Sequence, residues 1–381
     1  MVVPRYAGAR CKLMRIAFRA DASIDIGTGH VMRCLTLAEA LRSRGHECLF
    51  IGRDHPGNLE ALIRQKGFEV HLLAPGRSDA LIPEQESVPA HSDWLGVPWH
   101  FDADQTRNIV GGRQVDWVVV DHYALDARWE QEVSQVGAKV MVIDDLADRN
   151  HHCRLLLDQN LGRQPEDYDG LTKPDCIRLC GPRYALLRPE FAAMRKLSLE
   201  RRRSPEVRRI LITLGGVDRE NVTGEVLRVL SRSRLPPETE LDIVMGASAP
   251  GLDSVRVQAS KLPFRATVSV NVSDMAERMC LADLCIGAAG GTSWERCCLG
   301  LPTVLLVLAE NQEGGAKALG DVGAAIVVRR EGESLDALGS VVDRLLGSHE
   351  LSEIGQMASS VTEGNGVESV LEKMMLCSEE H

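Results

Sequence analysis

The sequence predicts an α/β protein of two Rossmann-like domains whose parallel sheets face a central cleft. Three observations predict it. Apolar, strand-like runs alternate with amphipathic helical patterns, the mark of a parallel sheet with crossover helices. The alternation occurs twice, on either side of the charged run Glu200-Arg201-Arg202-Arg203. The first strand of each series ends in a glycine turn, Gly27-Thr28-Gly29 and Gly215-Gly216. A length of 381 residues, about twice that of a common single domain, agrees with two domains sharing a cleft.

Residues 1–14 read as a disordered or wrongly assigned extension, because no signal-peptide h-region is visible and a strand follows at once. That strand is RIAFR at 15–19. A helix at 31–44 follows, with Val31, Leu35, Ala38 and Leu41 on one face. Strands are expected at 47–51 and 68–72, and the wholly apolar DWVVV (116–120) and KVMVI (139–143) suit buried parallel strands. Residues 75–102, rich in Pro, Ser, His and acids, read as an inserted loop. The first domain then spans 15–200, and 199–206 is a solvated linker. The second domain, 201–381, opens with RILITL at 209–214 and a helix at 221–231. Strands follow at 241–245, 267–270, 284–286, 303–308 and 324–328, and a last helix lies at 367–377.

Composition narrows the function. The net charge of −10 argues against general binding to nucleic acid or an anionic membrane, but leaves room for a small anion pocket of backbone N–H groups. No apolar run approaches the roughly 18 residues that span a bilayer. The eleven cysteines form no C-x-x-C pair and read as reduced, small core hydrophobes. A cytoplasmic monomer or weak dimer acting on a small molecule is expected. His151-His152-Cys153 lacks spaced third and fourth ligands, so neither a metal nor a cofactor is expected.

The sharpest motif is the first strand-to-helix turn, Gly27-Thr28-Gly29-His30. Ligands of open α/β sheets sit at the carboxyl ends of strands, and Gly27 and Gly29 let the backbone approach one. The positive end of the following helix disfavours imidazolium, so His30 suits a neutral base near pH 7. The plainer alternative is a histidine that only fills the turn. Asp21 either orients His30, touches the ligand or serves the turn. Asp121-His122-Tyr123, past DWVVV, lies at the same edge, where Tyr123 offers an O–H to a ligand or the trio merely closes the strand. Asp144-Asp145 repeats this after KVMVI, with a structural role favoured.

In the second half, Gly215-Gly216 is a plausible diphosphate cradle. Gly290-Gly291-Thr292-Ser293 offers N–H and hydroxyl donors at a helix start, and Glu295, one turn in, can accept from both hydroxyls of a ribose. The alternative is an ordinary helix start with Glu295 favouring its dipole. Asn311-Gln312 stands at the same rim.

The segments IGTGHVMRCLTLAEAL, DHYALDARWE, IDDLADRNHHCRLLLDQN, GPRYALLRPEF, LGGVDREN and GGTSWERCCLGLP, then AENQ, occur in this order between residues 15 and 328. Together they closely resemble the UDP-2,4-diacetamido-2,4,6-trideoxy-β-L-altropyranose hydrolases, nucleotide-sugar hydrolases of pseudaminic acid synthesis. The resemblance implies a GT-B-like fold with UDP held mainly by the C-terminal domain. It implies that His30 is the general base activating water at the anomeric carbon, and that Tyr123 and Asn311 lie near phosphates and sugar. It makes Glu295 the ribose ligand and sets the uracil against 271–275, with Asn271 and Met275 at its ends. Arg33, Asn160, Arg188 and Asn221, within the matched segments, join the implied substrate-binding set with Gly27, Gly29, Gly215, Gly216, Gly291, Thr292, Ser293 and Gln312. The products would be UDP and a free sugar destined for flagellin or another surface glycan. Residues 75–102 look longer than in compact members, and about fifty residues follow the last matched strand. A GT-B glycosyltransferase using a UDP-sugar, and a non-catalytic binder, are the competing readings.

Overall fold

The computed structural model describes residues 13–76, 89–203, 206–330 and 334–379. The first sheet has seven parallel strands in the order β3-β2-β1-β4-β5-β6-β7. They are β1 (Arg15–Ala20), β2 (Glu47–Arg53), β3 (Glu69–Leu73), β4 (Trp117–Asp121), β5 (Lys139–Ile143), β6 (Leu155–Asp158) and β7 (Ile177–Cys180). Its crossovers carry the helices α1 (Gly29–Ser43), α2 (Glu60–Gln65), α3 (Trp99–Gly111) and α4 (Ala127–Ser134). The second sheet has six parallel strands in the order β10-β9-β8-β11-β12-β13. These are β8 (Arg209–Thr213), β9 (Glu240–Met245), β10 (Arg265–Val270), β11 (Leu284–Ala288), β12 (Thr303–Leu306) and β13 (Ile326–Val328). α5 (Pro189–Arg201) leads into it, followed by α6 (Val222–Leu230), α7 (Leu252–Ala259), α8 (Met275–Leu281), α9 (Thr292–Cys298), α10 (Glu313–Asp321), α11 (Asp336–Leu345), α12 (Glu350–Val361) and α13 (Gly366–Glu379).

β4 shows why such runs become central strands. Val118 and Val120 enter the core beneath α3 and α4, whereas Trp117 and Val119 enter the one beneath α1. Both faces are covered, so both residue parities are apolar. Each sheet reverses strand order once, at β1/β4 and at β8/β11, and such a reversal opens a crevice at the strands' carboxyl ends.

Several boundaries differ from expectation. Strands β6 and β7 were not anticipated, because LLLD and IRLC are too short to show a period. The 75–102 stretch is not one loop. Ser92–Leu95 is a 3-10 turn and α3 starts at Trp99, while 77–88 lie outside the described residues, as do 1–12. The supposed linker near 200 is partly interior. Arg202 is buried and donates to the carbonyls of Met279 and Ala282, joining α5 to the second domain. The last helix crosses back. Val367, Val370, Leu371 and Met374 of α13 pack into the first domain's core, where Trp117 Nε1 donates to Ser378 Oγ at 2.8 Å. No helix among the described residues is long and apolar enough to cross a membrane.

Candidate active site

The turn after β1 is a small hairpin. Ser23 and Gly27 exchange backbone hydrogen bonds, Ser23 Oγ accepts from Asp25 N and Ile26 N, and Gly27 takes φ +81°. A left-handed residue without a Cβ is what this turn needs. It delivers His30 to the first turn of α1, directly beside the end of β4.

Two carboxylate–imidazole pairs form there, crossed between strands. Nδ1 of His30 lies 2.5 Å from Asp121 Oδ1, and Nε2 of His122 lies 3.1 Å from Asp21 Oδ2. Only one pair is competent for proton transfer. His122 Nδ1 accepts from Ala124 N and its ring is 1% exposed, so both nitrogens face protein. Burial pushes its pKa down, against the pull of Asp21. His30 has one nitrogen committed to Asp121 and a side chain 9% exposed, and among the described residues no hydrogen bond engages Nε2. Burial pushes the Asp121 carboxyl up, but Arg33 and then His30 outweigh it and hold it well below the usual carboxylate range. An ionised Asp121 accepts the Nδ1 proton, leaving the Nε2 lone pair for a ligand.

This corrects the expectation for Asp21. It is 1% exposed, bound by Arg19 at 2.6 Å and by the Arg53 N–H at 2.6 Å, and the imidazole beside it is His122 rather than His30. The orienting carboxylate is Asp121, which Arg33 clamps with two bonds of 2.6 and 2.7 Å. The third Arg33 nitrogen reaches Asp145 at 2.8 Å. Tyr123 has a partner of its own. Its hydroxyl donates to Asp145 at 2.6 Å, so its proton is committed within the protein. Asn160 Nδ2 donates to the Asp145 carbonyl, so Asn160 and Arg33 share that residue as a hub.

Aromatic rings flank the base. Tyr123 meets His30 edge-on at 4.6 Å, and Trp94 does so at 6.4 Å. Trp94 stacks on Tyr123 at 5.7 Å, and His91 leans on both at 4.4 and 5.5 Å.

The second domain presents loops from its own switch point. Gly215 takes φ +98°, and a Cβ built on Gly216 would lie 3.4 Å from Thr28 Oγ1, so the two glycine turns meet across the cleft. Asp25 and Arg219 pair across it at 2.7 Å. At β11, Thr292 and Ser293 open α9, with Gly291 at its N-cap. Their hydroxyl oxygens accept from buried Arg296, which also donates to the Ala288 carbonyl. Those bonds use only oxygen lone pairs, and among the described residues no acceptor engages the two O–H hydrogens. The sequence did not single out Arg296. Its one signal is Gly287, where a Cβ would lie 2.4 Å from the guanidinium.

Glu295 is 16% exposed on its side chain, and burial pushes its carboxyl up to about 7, with Arg188 pulling the other way. Arg188 Nη2 stands 3.7 Å from Glu295 and Nη1 3.0 Å from Glu190. Three expected ligand residues each make a side-chain hydrogen bond within the second domain. Asn221 donates to Ser254 Oγ at 3.3 Å, Asn271 Oδ1 accepts from Ala247 N, and Gln312 Oε1 accepts from Leu308 N. Met275 opens α8 and is half-buried. The Asn311 side chain lies outside the described residues. His151 and His152 take different partners, Glu130 at 2.7 Å and Lys173 at 2.9 Å, and no group of three metal-ligating side chains occurs among the described residues.

Comparison with known proteins adds a frame. Residues 211–372 match the Glycosyltransferase family 28 C-terminal domain. The chain is 25% identical over 311 residues to the UDP-2,4-diacetamido-2,4,6-trideoxy-beta-L-altropyranose hydrolase of Campylobacter jejuni, covering 81% of this chain and 97% of that protein. It is 24% identical to the spore coat polysaccharide biosynthesis protein SpsG of Bacillus subtilis, covering 82% and 83%. An uncharacterized Methanocaldococcus jannaschii protein, MJ1062, is 26% identical over 78% of this chain, which spans only 57% of that protein. The crystal structure of Acinetobacter baumannii MurG superposes with a TM-score of 0.65 at 16% identity, over 95% of this chain and 99% of MurG. The fold is therefore GT-B: two Rossmann-like domains facing a cleft.

Proposed function

We propose that this chain is a nucleotide-sugar enzyme that breaks the bond between the anomeric carbon of a UDP-linked sugar and its diphosphate. The observation that carries this reading is the His30–Asp121 pair, which leaves Nε2 unengaged among the described residues, in a turn whose Thr28 meets Gly216 of the second domain. An acceptor hydroxyl attacks the anomeric carbon and gives its proton to His30 Nε2. The carbon–oxygen bond breaks with its electron pair leaving on UDP, and Asp121 stabilises the imidazolium that forms. A single displacement of this kind inverts the anomeric configuration. UDP belongs on the second domain, its diphosphate on N–H groups of 215–216 and 290–293 and its ribose on Glu295. α9 has only seven residues, so local N–H and O–H donors supply this grip more than a helix dipole does.

Two acceptors suit this chemistry. Glycosyl transfer to a carbohydrate or other hydroxyl is supported by the family 28 match and by the likeness to MurG. Hydrolysis is supported by the 9% exposure of the His30 side chain, which suits an acceptor as small as water, and by the end-to-end likeness to the Campylobacter hydrolase. The name of the Bacillus relative supports a sugar used in surface polysaccharide. Purified protein incubated with a panel of UDP-sugars and no acceptor tests the choice. UDP release without acceptor supports hydrolysis, and release only with added acceptor supports transfer. No release under either condition removes the catalytic reading.

A further inference from the structure

We infer that Trp94 and His91 form the wall against which the glycosyl unit is held, and that they set which sugar is accepted. This rests on, and deepens, the nucleotide-sugar reading above. The 3-10 turn Ser92–Leu95 is pinned by Leu95, 2% exposed within the core that α3 and α4 cover, so Trp94 sits on a fixed support. From there Trp94 stacks on Tyr123 with planes 25° apart, and His91 packs against both rings. The rings stand beside the imidazole, with Tyr123 and Trp94 both edge-on to His30. A sugar whose anomeric carbon lies within reach of an acceptor held by His30 must pass along this wall.

What the wall can recognise follows from which groups are already occupied. The Tyr123 hydroxyl is bound to Asp145, Arg33 to Asp121 and Asp145, and Asn160 to Asp145. Trp94 and His91 are half-buried, and among the described residues no hydrogen bond engages their side-chain polar atoms. The surface left for a ligand is aromatic faces and edges. Such a face attracts a cluster of C–H groups through its negative quadrupole and through expulsion of water. A face of hydroxyls would lose its hydration there without gaining equal partners. The ligand class is therefore a pyranose with a continuous C–H patch on one face, disfavouring sugars with hydroxyls on both faces.

The test uses the full chain and the variants Trp94→Ala, Trp94→Phe, His91→Ala and His91→Phe. With the best UDP-sugar, Trp94→Ala should raise KM at least tenfold, Trp94→Phe should stay within about threefold of wild type, and Kd for UDP should stay within twofold in all. His91→Ala should raise KM severalfold, with recovery in His91→Phe. KM within twofold in both alanine variants overturns the inference, as does equal loss of UDP and UDP-sugar affinity. Trp94→Phe guards against misfolding of the alanine variant. Should the wild type turn over no UDP-sugar, the catalytic reading falls and calorimetry judges the wall. A UDP-sugar bound more tightly than UDP by wild type, with the difference erased in Trp94→Ala, upholds it; a difference unchanged or absent in wild type refutes it.

Discussion

His30 Nδ1 and Asp121 Oδ1 stand 2.5 Å apart, and the same carboxylate is gripped by Arg33 from the next turn of the helix that carries His30. Residues 30 and 33 share a helix face, so one carboxylate from β4 aligns the base and is itself aligned.

Asp121→Asn should therefore keep the shape of the site while removing the charge that stabilises imidazolium. Turnover is expected to fall on the order of 10³- to 10⁴-fold. His30→Ala should lower it on the order of 10²- to 10⁴-fold or more. UDP affinity should stay within a few-fold in both, measured by calorimetry beside steady-state UDP release. Loss of UDP binding with His30→Ala would show that His30 grips phosphate.

Glu295 predicts a pH effect on binding. Its carboxyl is pushed up to about 7 by burial, and it must be ionised to accept from both ribose hydroxyls. UDP should bind more tightly as pH rises from 6 to 8, with Glu295→Gln removing this wild-type excess slope. The ligand-free fold has the opposite dependence. Its raised pKa means the folded state holds more protons than the unfolded chain, so stability falls as pH climbs from the ordinary carboxyl value to about 7. Calorimetric titrations at pH 6 and 8 with both proteins check this, since the ionisation of UDP itself is common to both.

His151 predicts a stability effect of a different range. It is buried between Glu130 at 2.7 Å and Asp144 at 3.8 Å, and despite burial these carboxylates, Glu130 first, push its pKa up to about 9. A raised folded pKa contributes stability in full below the unfolded value, and that contribution is lost as pH rises through about 9. Each tenfold gain in proton affinity on folding is worth about 1.4 kcal/mol, so chemical denaturation should show wild type losing a few kcal/mol between about pH 6 and pH 9.5. His151→Gln should be less stable at the acid end and flatter across that range.

The terminal helix predicts a folding defect. Val367, Val370, Leu371, Met374 and Cys377 are buried against the first sheet. Each of the four aliphatic and methionine side chains contributes about 1.5–3 kcal/mol of burial. Their sum, about 6–12 kcal/mol, falls within the roughly 5–15 kcal/mol that typically separates folded from unfolded states. A chain ending at Asn365 should show exposed apolar surface by dye binding and no cooperative thermal transition for the first domain.

The place of His30 was legible in the sequence because a glycine turn at a strand's end is a local signal. Asp121 was not chosen as its partner, because the pairing spans 91 residues and depends on β1 lying beside β4. Asp21, nearer in sequence, looked the better candidate, but β1 directs its side chain into the Arg19 and Arg53 cluster. Tyr123 was noticed for its hydroxyl, yet the acceptor of that hydroxyl comes from past β5. Trp94 and His91 sat in a stretch whose composition resembles a loop, and only packing on Tyr123 gives them a place.

Periodicity and glycine placement suffice to specify two parallel α/β layers and a histidine at a strand's edge, since strand burial and turn geometry are dictated within a few residues. Which carboxylate pairs with that histidine and which rings pack beside it depend on strand order and on contacts between distant segments. The crossing of Asp121 to His30 and Asp21 to His122 shows why. Both pairs are an Asp with a His at the same sheet edge, but His30 pairs through Nδ1 and His122 through Nε2, and the other nitrogen of His122 is held by Ala124 N.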